Sequence, residues 1–320
     1  MAASKLLTQV RREIRRRNYS YKTEQAYIGW IKRYIYFHNT THPAEMGAPE
    51  VEQYLNYLAN EANVASATQN QALSALVFLY KQVLELPVLK LTGLERARKP
   101  VRVPVVLSKN EVLQILSNTT GIAHLIVSLM YGSGMRISEV LRLRIMDVDF
   151  EQYHLLVRSG KGLKDRRVML PLACIDALKD QIGKSTKQHR LDLNEGHGEA
   201  LLPKALSRKY PSEGKSLGWQ YVFYSNRLTT DPRSGLIHRH HLSDRYVQKS
   251  LKKAASKTNI HKKVSAHTFR HSFATEMLQA GYDIRTVQEL LGHSNVKTTM
   301  IYTHVLNKEG NYLKSPLDSL

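Results

Sequence analysis

His267-Thr268-Phe269-Arg270-His271, then Leu291-Gly292-His293, then Thr298-Thr299-Met300-Ile301-Tyr302-Thr303-His304 follow one another near the end of this 320-residue chain. A cationic cluster thus leads into a single tyrosine. Upstream stand Gly132-Ser133-Gly134-Met135-Arg136 and a Gly160-Lys161-Gly162 turn. The recurrence of Phe269, Phe273, Met277 and Leu278 predicts a helix over residues 268–278, and His267 and Arg270, three apart, share one face of it. Arg136, Lys161, His293 and Tyr302 are distant in sequence, and no periodicity brings them together. Taken singly, the Gly-Ser-Gly-Met-Arg stretch reads as a helix-entry turn, the Gly-Lys-Gly turn as a solvated hairpin tip and the tyrosine as packing in a C-terminal helix.

Taken together, these residue types suit attack by a phenol on a phosphodiester without a metal. Such attack gathers negative charge on the non-bridging oxygens, so catalysis consists mostly of positioning and of stabilising that charge. Arginine stays protonated and its planar fork holds two oxygens at once, which lysine cannot reproduce. A tyrosine with an ordinary pKa of ~10 is a poor nucleophile at neutral pH unless a base or nearby cations draw off its proton. His267 or its neighbours are placed to do so. A lysine on a flexible Gly-flanked turn, Lys161, can deliver a proton to the departing 5′-oxygen as general acid. The product is a 3′-phosphotyrosine, which conserves the energy of the broken ester and needs no ATP for rejoining.

The order Arg, Lys, His-x-x-Arg, Leu-Gly-His, Thr-Thr-x-x-Tyr-x-His resembles the tyrosine recombinase (phage integrase) family over residues 104–306. The resemblance implies Arg136 and Arg270 as phosphate clamps and Lys161 as general acid. It further implies His267 and His293 as proton-transfer and phosphate-binding groups and Tyr302 as nucleophile. Glu139, one turn after Arg136, either orients that arginine or is a solvated helix charge. The implied architecture is mainly α with a small β-sheet, an N-terminal helical DNA-binding domain preceding an α+β catalytic domain.

Charge agrees with a polyanionic partner. Lys plus Arg number 47 against 27 for Asp plus Glu, a net +20, which favours nucleic acid. Cys174 is the only cysteine, so no intrachain disulfide can form and nothing argues for export. Residues 1–17 turn basic too soon for a secretory leader, and the apolar run over residues 122–131 is too short to span a bilayer. The chain reads as a soluble cytoplasmic protein with no membrane association. His-Glu-x-x-His and the Gly-x-x-x-x-Gly-Lys-Ser/Thr phosphate loop are missing, and His238-Arg239-His240-His241 lacks carboxylates at ligand spacing, so neither metal nor nucleotide cofactor is expected.

Residues 1–90 read as a helical domain. Tyr27, Trp30, Ile31 and Tyr34 recur at helical spacing, as do Val51, Tyr54, Leu55 and Leu58, and Leu73, Leu76, Val77 and Tyr80. Its basic opening, with Arg15, Arg16, Arg17 and then Lys22, is taken as a phosphate-contacting surface, because the resemblance implies that this domain clamps one side of a duplex. Residues 91–104, basic and interrupted by Pro100 and Pro104, read as an extended linker. Residues 105–320 form the catalytic domain, entered through the capping box Ser108-x-x-Glu111. Strands are expected at residues 154–157 and 166–170, flanking Lys161.

Between a helix ending near Ile182 and another around residues 246–255 lies an insertion, residues 184–242, rich in cations with aromatic residues interleaved. Aromatics among cations read as a stacking platform for unpaired bases, against the plainer reading of a disordered loop. Trp219 offers the largest face and Pro232 a rigid one, while His240 and His241 can both stack and donate hydrogen bonds; Arg239 adds a backbone contact. The segment is similar to the insertion of integron integrases. That resemblance implies exchange of gene cassettes at folded single-stranded sites as well as duplex sites, by four protomers working through a Holliday junction. The tail, residues 307–320, either docks on a neighbouring protomer or frays. A Xer-like recombinase limited to duplex sites, a type IB topoisomerase and an idle DNA-binding protein are the rival readings.

Overall fold

The computed structural model describes residues 5–86, 90–97, 104–158 and 165–303, with the side chains of Lys204 and Ala205 excepted. Lys161 and its turn, residues 98–103 of the expected linker, and the tail at 307–320 lie outside the described residues. The chain divides into two units, residues 1–102 and 103–320. Among the described residues helices dominate both, and the strands form one three-stranded and one two-stranded sheet.

The first unit consists of α1 (Lys5–Arg16), α2 (Tyr21–Phe37), α3 (Ala48–Asn60) and α4 (Ser66–Phe78), the last running into a π-helical turn at Leu79–Val83. Ser20 caps α2, accepting the Thr23 N–H at 3.1 Å. The expected stripes of α2 and α3 are buried, including Ile31, Tyr34, Val51 and Leu55. Tyr34 and Tyr80 share a hydrogen bond of 2.9 Å, which satisfies two phenols sunk in an apolar core. Of the stripe expected over α4 and its turn, Leu76 and Tyr80 are buried and Leu73 is half-buried. Val77 faces outward, and Ala72, Ala75, Phe78 and Leu79 turn inward with Leu76.

The second unit is built around α6 (Gly121–Ser133), whose residues Leu125, Ile126, Val127, Leu129 and Met130 are all buried because neighbours surround it. Those neighbours include α5 (Lys109–Ser117), α7 (Ile137–Leu141), α8 (Ile175–Asn194), α10 (Asp244–Ala255) and α11 (Ala266–Gln279). The expected capping box starts α5: Ser108 Oγ accepts the Glu111 N–H at 3.3 Å and Glu111 accepts the Ser108 N–H at 2.7 Å. Strands β1 (Val148–Asp149), β2 (His154–Val157) and β3 (Arg166–Met169) pair antiparallel, with Leu155 opposite Val168 on the buried face. Toward the end of the chain, α12 (Ile284–Leu291) and the short α13 (Lys297–Met300) complete the unit.

The insertion is an ordered part of this unit. The helix expected to end near Ile182 runs on to Asn194, because Ser185, His189 and Asp192 continue a buried stripe. After α9 (Lys204–Lys209), residues 220–222 pair with residues 143–145: Ile145 N–H donates to Gln220 O at 3.0 Å and Val222 N–H to Leu143 O at 2.9 Å. Val222 and Phe223 are fully buried in the core. A hairpin of β4 (Tyr224–Thr230) and β5 (Ile237–His241) follows.

Gly132-Ser133-Gly134-Met135-Arg136 is a helix exit as much as an entry. Gly134 takes φ +67° as the left-handed cap of α6, and two residues later the Arg136 backbone caps α7. A Cβ on Gly134 would stand 2.4 Å from the Phe273 ring. Gly134→Ala therefore combines a left-handed non-glycine residue with overpacking, together about 2–5 kcal/mol. We expect a thermal midpoint several degrees below that of the parent protein, read by calorimetry.

Candidate active site

The α6–α7 turn, α11 and the α12–α13 region converge on one cavity of about 250 Å³, lined by Arg136, His267, Arg270, His271, His293 and Tyr302 among others. Five of the six residues expected to carry the chemistry thus meet in space; the sixth, Lys161, lies outside the described residues. Helix α11 does much of the work. Its positions 267, 270 and 271 fall on one side, and Phe269, Phe273 and Ala274 anchor it in the core.

Each arginine is held by its environment. Arg270 is 4% exposed and donates to Gly134 O at 2.6 Å and to Leu291 O. Burial, aided by Arg136, lowers its pKa to about 10, which leaves it charged at neutral pH. Arg136 donates through Nη1 to Glu139 Oε1 at 2.7 Å, while its backbone N–H reaches Glu139 Oε2 at 2.8 Å. The alternative left open for Glu139 is settled by these contacts, for it is buried and orients Arg136.

Arg166, which sequence reading did not single out, is the second partner of that carboxylate, at 2.6 and 3.1 Å. Its Nε also donates to Leu290 O at 2.9 Å. Arg166 and Arg270 thereby satisfy two carbonyls at the C-terminal end of α12, where cations are favoured by the helix dipole. Burial pushes the Glu139 carboxyl up, but the Arg166 bonds and Arg136 outweigh it, so its pKa lies below the usual carboxylate range.

Tyr302 is 1% exposed. Burial raises its pKa, against the opposing pull of Arg270 and Arg136. Its ring stacks on His293 at 6.4 Å between centroids, and His293 Nδ1 lies 2.9 Å from Thr299 Oγ1. The histidine bonded to the phenol is His271, with Nδ1 2.9 Å from Tyr302 Oη, and not His267. Sequence reading left the base open between His267 and its neighbours; the His267 side chain is exposed at the edge of the cavity.

The residues expected at the insertion do not form one platform. Trp219 is 6% exposed, its indole N–H donates to Glu213 at 3.2 Å, and the guanidiniums of Arg144 and Arg158 lie 5.0 and 5.5 Å from its ring centroid. The expectation of an open stacking face on Trp219 is therefore corrected: cations and core atoms cover the ring. His240 and His241 are half-buried, 4.0 Å apart, and both pack on Tyr221. Tyr224 pairs with His241 at the base of the hairpin and Thr230 with Ile237 near its tip. Exposed Pro232 lies in the tip, so strand rise alone puts it roughly 13 Å or more from His241. Arg239 is likewise corrected from a backbone contact to a structural tie, for it pairs with Asp192 through both oxygens at 2.5 and 2.6 Å while 12% exposed.

In the first unit the basic run is engaged by carboxylates. Arg15 bonds Glu24 at 3.0 and 3.1 Å, and Arg16 and Arg17 bond Glu13 at 2.8 and 2.6 Å. The Arg16 and Arg17 bonds pull Glu13 down to about 2. Lys22 is exposed on α2.

Among known proteins, a model described as the phage integrase family matches residues 105–309, and one described as the phage integrase N-terminal SAM-like domain matches residues 6–89. The chain belongs to the phage integrase family, the tyrosine recombinases. It is an enzyme of site-specific DNA strand transesterification. An integrase/recombinase of Escherichia coli is 48% identical over 318 residues, covering 99% of this chain and 94% of the relative. The tyrosine recombinase XerA of Pyrococcus furiosus is 33% identical over 221 residues, 67% of this chain and 63% of its own length. A solved lambda integrase dimer bound to a COC′ core site has the same fold, with a TM-score of 0.61 at 16% identity over 98% of this chain and 99% of that one. No described helix of this recombinase is long and apolar enough to cross a membrane.

Glu139 is the test of this geometry. Glu139→Ala leaves buried guanidiniums without their carboxylate, a change that costs about 3–5 kcal/mol when a buried pair is broken. We expect a lower thermal midpoint for Glu139→Ala. For Glu139→Gln, which keeps the shape, we expect a milder midpoint shift but at least a tenfold slower DNA cleavage, measured with a nicked substrate that traps the covalent adduct.

Proposed function

We propose that this recombinase is of the integron integrase type and joins gene cassettes through a 3′-phosphotyrosine, using folded single-stranded sites as well as duplex DNA. The observation that carries the chemistry is the single cavity in which Arg136, Arg270 and His293 surround Tyr302. Arg136 and Arg270 clamp the scissile phosphate, and Tyr302 attacks it. Lys161 protonates the departing 5′-oxygen, and His267 and His293 serve proton transfer and phosphate binding. Side-chain cations carry the developing charge, so the reaction needs neither metal nor ATP.

Four protomers act on two sites in the cytoplasm, exchanging one strand pair through a Holliday junction. The N-terminal unit grips the backbone through Lys22 and through Arg15, Arg16 and Arg17, whose partners Glu13 and Glu24 yield them to phosphates. At the insertion, His240 and His241 on Tyr221 receive an unpaired base, Pro232 contacts the DNA from the hairpin tip, and Trp219 supports the cluster from beneath through Arg144, whose guanidinium lies over both Trp219 and Tyr221. The relationship to XerA favours a second reading, a recombinase confined to duplex sites.

Tyr302→Phe removes only the attacking oxygen. We expect DNA binding to change little and the covalent adduct to vanish on denaturing gels, with or without chelator; an adduct formed by the Phe variant would assign the nucleophile elsewhere.

The two site types are separated by titrating a bulged hairpin beside its fully paired counterpart. Stacking on an unpaired base contributes ~1–3 kcal/mol, roughly 5- to 150-fold in affinity. His241→Ala should weaken hairpin binding within that range and spare the duplex. Trp219→Ala, a change in packing, should weaken both. Equal losses for His241→Ala on the two substrates would favour the duplex-only reading.

A further inference from the structure

Burial and bonding single out one member of the cavity that the scheme above leaves without a role. His271 follows Arg270 on α11, and its Nδ1 is the hydrogen-bond partner of the Tyr302 hydroxyl at 2.9 Å. The two rings lie 5.5 Å apart with planes inclined at 51°. No other described side chain is bonded to that hydroxyl. We propose that His271 is a catalytic residue of this recombinase, the base that takes the Tyr302 proton as the phenolic oxygen bonds to phosphorus. The inference rests on the reading of Tyr302 as nucleophile.

The step balances within the site. The proton on Tyr302 Oη moves to His271 Nδ1, the Oη–P bond forms, and the P–O5′ bond breaks as its oxygen takes a proton from the general acid. In rejoining, the 5′-hydroxyl returns its proton to the deprotonated general acid as it attacks phosphorus, the Oη–P bond breaks, and the His271 imidazolium gives its proton to the departing phenolate. No oxidant, metal or nucleotide enters.

The electrostatics of the pocket decide when this transfer is possible. Burial, His267 and Arg270 drive the His271 imidazole down to about 4, so it is neutral at pH 7, and in the tautomer with the proton on Nε2 its Nδ1 accepts from the phenol. His267 and Arg270 face it from α11, Arg136 from the turn before α7, and His293 and Tyr302 from the segments around α13. A base so weak would hold a proton poorly in the unfilled site. A phosphodiester between Arg136 and Arg270 brings in the negative charge that offsets Arg270, raising the basicity of His271 once substrate is bound. Proton transfer is thereby tied to occupancy of the clamp.

His267 has no comparable contact. Its ring stands 6.2 Å from that of His271, edge to face, which suits contact with phosphate or solvent better than with the phenol.

The experiment measures single-turnover cleavage of a nicked duplex by the full-length protein between pH 6 and 9, with DNA binding and melting recorded in parallel. His271→Ala and His271→Asn are compared, each carrying either Tyr302 or, by amber suppression, a trifluorotyrosine whose phenol is ionised near neutral pH. Asn keeps a polar atom near the place of Nδ1 but cannot take the proton. We expect both substitutions to slow cleavage about 10²–10⁴-fold at pH 7, the usual scale for a lost base, with the rate climbing as pH rises. Trifluorotyrosine should restore each to within roughly tenfold of the matching parent, because its proton has already left. A defect that trifluorotyrosine does not relieve, a near-parental His271→Asn, or an accelerated His271→Ala would overturn the proposal, the last marking His271 as a latch that restrains the nucleophile. Failure of the parent protein itself to form an adduct would instead remove the reading of Tyr302 on which the inference depends.

Discussion

One buried carboxylate organises the catalytic unit. Glu139 bonds Arg136 and Arg166 and stands 3.8 Å from Arg270. Three guanidiniums gathered without a counter-charge would repel one another and each would carry a desolvation cost of several kcal/mol. One carboxylate makes the gathering possible, yet it balances only one of three charges. The surplus of two positive charges is what a phosphodiester, and still more its transition state, is drawn to.

The same cluster sets the backbone around it. Arg166 and Arg270 take up the Leu290 and Leu291 carbonyls at the end of α12, and Gly292 adopts φ +62° there, where a Cβ would meet the Arg166 guanidinium at 3.0 Å. His293 begins immediately after. Gly134, whose carbonyl receives Arg270, lies two residues before Arg136. The positions of Arg136 and His293 are therefore consequences of helix ends tied to one ionic knot, which accounts for glycines at both ends.

The insertion is bound into the same unit by backbone pairing with residues 143–145, just past the end of the helix that carries Glu139. Arg144 stands at that junction. Its guanidinium bonds the Trp219 and Leu201 carbonyls and lies over the Trp219 and Tyr221 rings, and burial lowers its pKa. The aromatic residues among cations thus serve first to fix the insertion to the core, with the Tyr221, His240 and His241 rings left half-exposed beside it.

Much of this was legible in the chain because it depends on local chemistry. Helical stripes such as Val51, Tyr54, Leu55 and Leu58, the Ser108 cap, and the two strands around residues 158–165 follow from periodicity and capping that need no distant partner. Residue order identified the family and with it the candidates Arg136, His267, Arg270, His293 and Tyr302. Three-dimensional packing decided the rest. Arg166 and His271 carried no local signal beyond being an arginine in a strand and a second histidine after Arg270. Trp219 and Arg239 looked like DNA contacts because composition cannot tell a cation–aromatic surface from a cation–aromatic core. That Arg166 shares the Glu139 carboxylate, and which nitrogen meets the phenol, depends on contacts between residues 27 and 31 positions apart. Such contacts are set by the closing of helices around α6, which no stretch of sequence encodes alone.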